Sequence, residues 1–246
     1  MMKKTVKERI IKLIIWVFRI KYSFLKPKVI HFIHQGVPYY SQWESPELVS
    51  KLVERKIRAE DDPKWKNSGA KNKLEYLNWS WSGCGMACFK MALEYFTGQK
   101  VPLVVLGKQC LVYGGYQMNQ QAFNRGDYLH SLPGLFYKPF IRFIRHEYGL
   151  TGRVSRFLTV EQIAYEISRK NLVIVSVSAD IADQQNYSGS KGGHLILVNG
   201  YDLPKKQLIF HNPSGKNTKN QQLARINFQD FIRYFDNKGM VIFDPA

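Results

Sequence analysis

Three residue types that together can run thiol chemistry occur in order along the 246-residue chain. Cys84 stands in Ser82-Gly83-Cys84-Gly85-Met86-Ala87-Cys88, His194 follows Gly192-Gly193, and Asn212 precedes Pro213. A thiol nucleophile needs a base to take its proton and a polar group to orient that base. His194 would accept the Cys84 proton, and Asn212 would fix the ring tautomer without adding charge. The resulting thiolate–imidazolium pair would attack a carbonyl carbon and form an acyl-enzyme that water hydrolyses. The tetrahedral oxyanion needs donors. The backbone N–H of Cys84 is one candidate. The side-chain amide of Gln42, in Val37-Pro38-Tyr39-Tyr40-Ser41-Gln42, is the other.

Positioning these groups requires a helix and two strands. Ala87, Cys88, Met91, Ala92 and Tyr95 repeat at helical spacing, with Gly98 as a stop, so Cys84 falls at a helix N-terminus. Free backbone N–H groups and the macrodipole there favour a negative charge and lower a thiol pKa from its usual ~8.5. Cys88 sits on the apolar stripe and reads as core, as does Cys110. Leu195 to Val198, bounded by Gly193 and Gly200, and Gln207 to Asn212 read as buried strands joined across Asp202-Leu203-Pro204-Lys205-Lys206. A hairpin centred on Leu203 pairs His194 with Asn212 on one face, where opposed Cβ atoms are ~4.5–5.5 Å apart. A one-residue slip would separate them. In this register His211 points to the other face.

These strings in combination resemble family thirty-nine of the cysteine peptidases, the bacteriocin-processing, double-glycine-leader enzymes of the papain clan. The resemblance runs in order from Val-Pro-Tyr-Tyr-Ser-Gln-Trp through Ser-Gly-Cys-Gly-Met-Ala-Cys and Gly-Gly-His-Leu-Ile-Leu-Val-Asn-Gly-Tyr-Asp to His-Asn-Pro, covering residues 37–215. It implies an α+β papain-like cysteine peptidase fold, with N-terminal helices carrying the nucleophile packed on a mainly antiparallel sheet. It also implies Gln42 as oxyanion-hole residue, Cys84 as nucleophile, His194 as general base and acid, and Asn212 as orienting residue. The substrate would be a peptide or protein, such as a leader or precursor peptide. Two features depart from the pattern. Many relatives carry Asp in place of Asn212, and the segment between Gln42 and Cys84 is long. Another thiol acyl-transfer enzyme on the same fold, an amidase or transferase, fits the same spacing. A non-catalytic papain-like binding module is a third reading, against which the intact set of four residues argues.

The long segment, residues 43–80, reads as an insertion in a catalytic domain of 29–246. Ser45-Pro46-Glu47 is a helix start with Ser as cap, and Leu48, Val49, Leu52, Val53 and Ile57 form an apolar face. Ala59 to Lys73 reads as loop. Trp65, Tyr76, Trp79 and Trp81 either line a groove or bury against the domain. Farther on, the spacing predicts helices over Phe140–Tyr148 and Phe228–Phe235, a capping box at Thr159 and Gln162, and strands at Leu172–Val177 and Met240–Phe243.

Composition sets the remaining bounds. With 45% hydrophobic residues the chain can bury a full core. Three cysteines imply no disulfide framework, and Cys84 and Cys88 lack zinc-site spacing, so neither metal nor cofactor is expected. Residues 1–28 hold nine Lys/Arg and one Glu, +8 of the chain's +17. Their apolar run is shorter than the ~20 residues of a spanning helix, and no small-residue cleavage site follows. They form a basic amphipathic helix that either contacts a membrane surface peripherally through residues 3–28 or docks on the domain. No recognition helix or RNA-binding signature accompanies the charge, so no specific nucleic acid is expected. The expected location is the cytoplasm, at the inner membrane surface. The oligomeric state is not encoded in any pattern of the sequence.

Overall fold

Seven strands form one antiparallel sheet in the order β2-β7-β3-β4-β5-β6, with β1 pairing β4 off that path. They are β1 (His31–Ile33), β2 (Thr151–Ser155), β3 (Leu172–Ser178), β4 (Gly193–Asp202), β5 (Gln207–His211), β6 (Ala224–Asn227) and β7 (Phe235–Phe243). The computed structural model describes residues 2–25, 27–182 and 187–244; the other positions of the expected segments 1–28 and 29–246 lie outside the described residues.

Both faces of the sheet are covered, which explains why all seven residues of β3 are buried, the apolar run Leu172–Val175 and Val177 together with Ser176 and Ser178. Alternate residues Leu172, Ile174, Leu195, Leu197, Met240 and Ile242 pack under the helices Cys84–Thr97, Leu103–Val112 and Tyr137–Tyr148. Val173, Val175, Val177, Ile196, Val198 and Val241 face the helices Val160–Ser168 and Phe228–Tyr234. The architecture is the expected α+β arrangement of N-terminal helices on an antiparallel sheet.

Local sequence rules held where a side chain had no stronger partner. Thr159 caps its helix by accepting from the Gln162 N–H, but the Gln162 side chain does not complete the box, since its Oε1 has no partner. Gly149 ends the Tyr137–Tyr148 helix in the left-handed conformation. That helix begins before Pro139, not after it, because proline is tolerated in a first turn. The last strand starts at Phe235, earlier than the apolar run Met240–Phe243 suggested, because Phe235 pairs with Val177 and Gly239 with Val175 and Ser155 across an irregularity in the ladder.

The insertion has its own small core of Trp43, Val49, Leu52, Ala59 and Tyr76. Its start is a 3-10 turn at Pro46–Leu48 followed by a short helix at Val49–Val53. Ser45 does not cap that turn through its side chain. Its hydroxyl instead donates to the buried Asp62 carboxylate at 2.6 Å, which also accepts from the Ser45 N–H, the Tyr76 hydroxyl and the Lys64 N–H. A charged acceptor with several donors outbids a lone cap. Trp79 and Tyr76 are core residues, Trp65 is half-buried, and only Trp81 of the four aromatics lines a cleft beside Cys84. The stretch expected as loop contains the 3-10 turns Ala59–Asp61 and Trp65–Ser68.

Candidate active site

Cys84 is the first residue of its helix, with Gly83 at the N-cap position and Ser82 tied by its hydroxyl to the Leu132 carbonyl at 2.7 Å. The helix lies across β4, so its first turn meets the strand end that carries His194. Cys88, one turn on, is fully buried and donates its thiol to the Leu195 carbonyl at 3.5 Å, and Cys110 is likewise buried, as expected for core residues. Gly192 and Gly193 enter β4 at φ +81° and +91°, a conformation L side chains rarely adopt, and this turn delivers His194 to the cleft. Cys84 and His194 line one cavity of about 290 Å³ with Trp81, Ser176, Leu135 and Tyr137.

His194 Nε2 lies 2.8 Å from Asn212 Oδ1 and 3.0 Å from Ser214 Oγ. Asn212 Oδ1 also accepts from the Ser214 N–H at 3.1 Å. An acceptor oxygen facing Nε2 selects the tautomer that carries its proton there, so Nδ1 is the nitrogen left for the thiol. The expected contact is therefore present, but by a different register. The hairpin pairs Asp202 with Gln207 around a four-residue connection, and a bulge between Val198 and Gly200 shifts the pairing to Leu197 with His211. Extended by one residue, this carries Asn212 opposite Ile196, two positions from His194 and on its face. Without the bulge Asn212 would fall opposite Leu197, on the other face. A centre at Leu203 reached the right pair through the wrong arithmetic. His211 points away, as expected. Its Nδ1 accepts from the Leu223 N–H at 3.0 Å, and its Nε2 lies 3.2 Å from the Val37 carbonyl.

Gln42 is buried outside the lining of the cavity. Its segment is laced to the Asn212 turn: Tyr39 donates to the Asn212 carbonyl at 3.0 Å, and Gln42 N–H and Ser41 Oγ both donate to the Pro213 carbonyl. Gln42 Nε2 donates to the Ser80 carbonyl at 2.9 Å, four residues before Cys84, which leaves the amide a second N–H. Gln42 Oε1 and Asn212 Nδ2 are buried without partners.

The electrostatics add an opposing influence to one expectation. Burial pushes the Cys84 thiol up from its ordinary value, against the backbone N–H groups of Leu195, Gly85 and Cys84 that favour the thiolate. Burial also pulls His194 down to about 4, opposed by its bond to Asn212. Burial thus opposes the thiolate that the helix N-terminus favours.

Ser214 was missed by sequence reasoning. The signal was Asn-Pro-Ser: Asn in a turn commonly accepts from the backbone N–H two residues on, which brings Ser214 to the carboxamide.

A three-layer α+β fold with Cys and His facing one cleft, and Asn behind the His, defines a papain-like architecture. The chain belongs to the Peptidase_C39 like family, whose model matches residues 34–242. In three dimensions it is similar to the crystal structure of a candidate C39-like peptidase from Bacillus anthracis, at 12% identity and a TM-score of 0.51, covering 88% of this chain and 98% of that one. At that identity the likeness speaks for the fold alone. No curated protein matches the chain.

Proposed function

We propose that this chain is a cysteine peptidase that cleaves a peptide bond with Cys84 as nucleophile and His194 as base and acid. The observation that carries the reading is His194 held through Nε2 by Asn212 at 2.8 Å while sharing a cleft with Cys84. The Cys84 proton passes to His194 Nδ1 as Sγ attacks the scissile carbonyl carbon. The backbone N–H of Cys84 stabilises the oxyanion, and the second N–H of Gln42, whose side chain lies behind the cleft lining, is the further donor the mechanism assigns, each such donor being worth ~2.7–4 kcal/mol. Collapse breaks the C–N bond, and the amine leaves with the proton from Nδ1. Water, deprotonated by the same nitrogen, then cleaves the thioester and restores the thiol. Family membership supports a peptide substrate, a leader or precursor peptide included.

Incubating the protein with a peptide library derived from whole-cell digests, beside Cys84→Ala, tests this. New termini produced by wild type and absent with the variant are expected. The same termini from a purified Cys84→Ala protein would contradict the mechanism.

A further inference from the structure

The N-terminal helix Met2–Phe24 carries two apolar faces, and the domain uses only one of them. Ile11, Ile14, Ile15, Phe18 and Tyr22 are half-buried. Phe18 packs on Phe157 with ring centroids 6.3 Å apart, Tyr22 on Tyr165 at 5.4 Å, and Arg19 pairs with Glu161 at 3.2 Å. This settles how the helix docks. A second side carries Leu13, Val17, Ile20 and Phe24 with Trp16 at its edge, and Val6 and Ile10 continue the stripe beside a groove that they line with Phe157 and Lys238; spaced alternately four and three residues apart from Val6 to Phe24, every one of them is exposed. Leu13 and Trp16 keep 59% and 58% of their surface in water, and Phe24 keeps 83%. Ten of the sixteen large apolar residues exposed among the described residues fall between Val6 and Ile30. A contiguous apolar stripe of this kind marks an interaction surface.

The charges choose the occupant. Wound at 3.6 residues per turn, Arg9 and Lys12 border one edge of the stripe and Lys21 the other, all exposed. Glu8, the one acid of this helix, projects away from the stripe, on the side of Arg19. A second copy of the helix laid along the stripe would set Lys and Arg against Lys and Arg with no acid to answer them. A surface that is apolar inside and negative at its rim satisfies both edges. We propose that the helix docks the enzyme onto an anionic lipid surface, stripe inward, with Trp16 at headgroup level and the basic edges on lipid phosphates. No helix among the described residues is long and apolar enough to cross a membrane, and the helix lies along the domain, which suits binding in the interface plane.

The test uses the full chain, sedimented with vesicles of phosphatidylcholine alone and of phosphatidylcholine with equimolar phosphatidylglycerol. The protein should pellet with the anionic vesicles, and high salt should weaken that binding. Leu13→Gln with Val17→Gln, at exposed positions that leave the core intact, should lower partitioning roughly tenfold or more, as should Arg9→Gln with Lys12→Gln. Wild type left in the supernatant, or both variants pelleting like wild type, would overturn the proposal. So would a dimer in sedimentation velocity that Leu13→Gln with Val17→Gln dissolves, which would give the face to a second copy. Because the readout is binding and not turnover, it stands apart from the fate of the peptidase reading.

Discussion

The Asp62 hub of the insertion and the His194–Asn212 cluster are both built of buried polar groups, and they differ in how fully those groups are met, although the insertion core also leaves Trp43 Nε1 without a partner. In the insertion, the Asp62 carboxylate accepts from Ser45 twice, from Tyr76 and from Lys64, so its acceptor capacity is met. Behind the cleft, Asn212 satisfies its oxygen and leaves Nδ2 bare and Gln42 leaves Oε1 bare, while Nε2 is the ring nitrogen of His194 that Asn212 holds. An unmet buried polar group costs ~1–3 kcal/mol, so native proteins rarely keep several together. A saturated network holds the chain in place. A cluster with spare donors can take further hydrogen bonds. The two regions should therefore separate under mutation, one governing stability and the other turnover.

The largest separation is expected at Cys84 and His194. Cys84→Ala and His194→Ala should each lower peptide cleavage by about 10³-fold or more, while Cys84→Ala shifts the denaturation midpoint little; a Cys84→Ala protein that unfolds much earlier would collapse the distinction. Asp62→Ala should do the reverse. Stranding several buried donors should cost about 3–5 kcal/mol in urea unfolding, and a change below about 1 kcal/mol would show that the hub is not structural.

Acid probes buried groups outside the insertion. Burial lowers His34, His194 and His211 each to about 4 in the fold, against 6.5 ordinarily. Between those values the unfolded chain binds more protons than the native one, so stability is full above pH 6.5 and falls as pH drops toward 4. Each histidine can contribute on the order of 3 kcal/mol at the acid end. A melting temperature that stays flat from pH 7 to pH 4.5 would contradict the burial of these rings.

Smaller effects sharpen the cleft itself. Asn212→Ala should reduce turnover by roughly ten- to a hundredfold, less than His194→Ala, since it loosens the ring without removing the base. Ser214→Ala should cost only a few-fold, because Asn212 still holds Nε2. A Ser214→Ala loss as deep as that of Asn212→Ala would move the orienting role to Ser214.

What the sequence disclosed followed from short-range rules. Ser-Gly-Cys-Gly before an apolar helical stripe located Cys84 at a helix start, and the Gly pair before His194 located the strand entry. What stayed hidden depended on partners distant in the chain. Gly200 was taken as a strand end, yet β4 runs through it to Asp202, since a side chain there would meet the Phe32 carbonyl of β1 at 2.9 Å. The neighbouring bulge, which sets the face of Asn212, leaves no mark in an apolar run. The raised Cys84 thiol was hidden for the same reason: burial belongs to the assembled layers, whereas the helix N-terminus belongs to the local string. Ser45 read as a cap because Asp62, its true partner, is 17 residues away.

The proposed mechanism has His194 take the proton of Cys84 as the thiol attacks. It is tested most directly by the rate of iodoacetamide alkylation of Cys84 against pH, in wild type and His194→Ala, with the site read by peptide mass spectrometry. Wild type should react at least about tenfold faster than the variant at neutral pH, the gap closing only at alkaline pH where the thiol ionises unaided. Superimposable pH profiles for the two proteins would contradict the account and remove His194 from the chemistry.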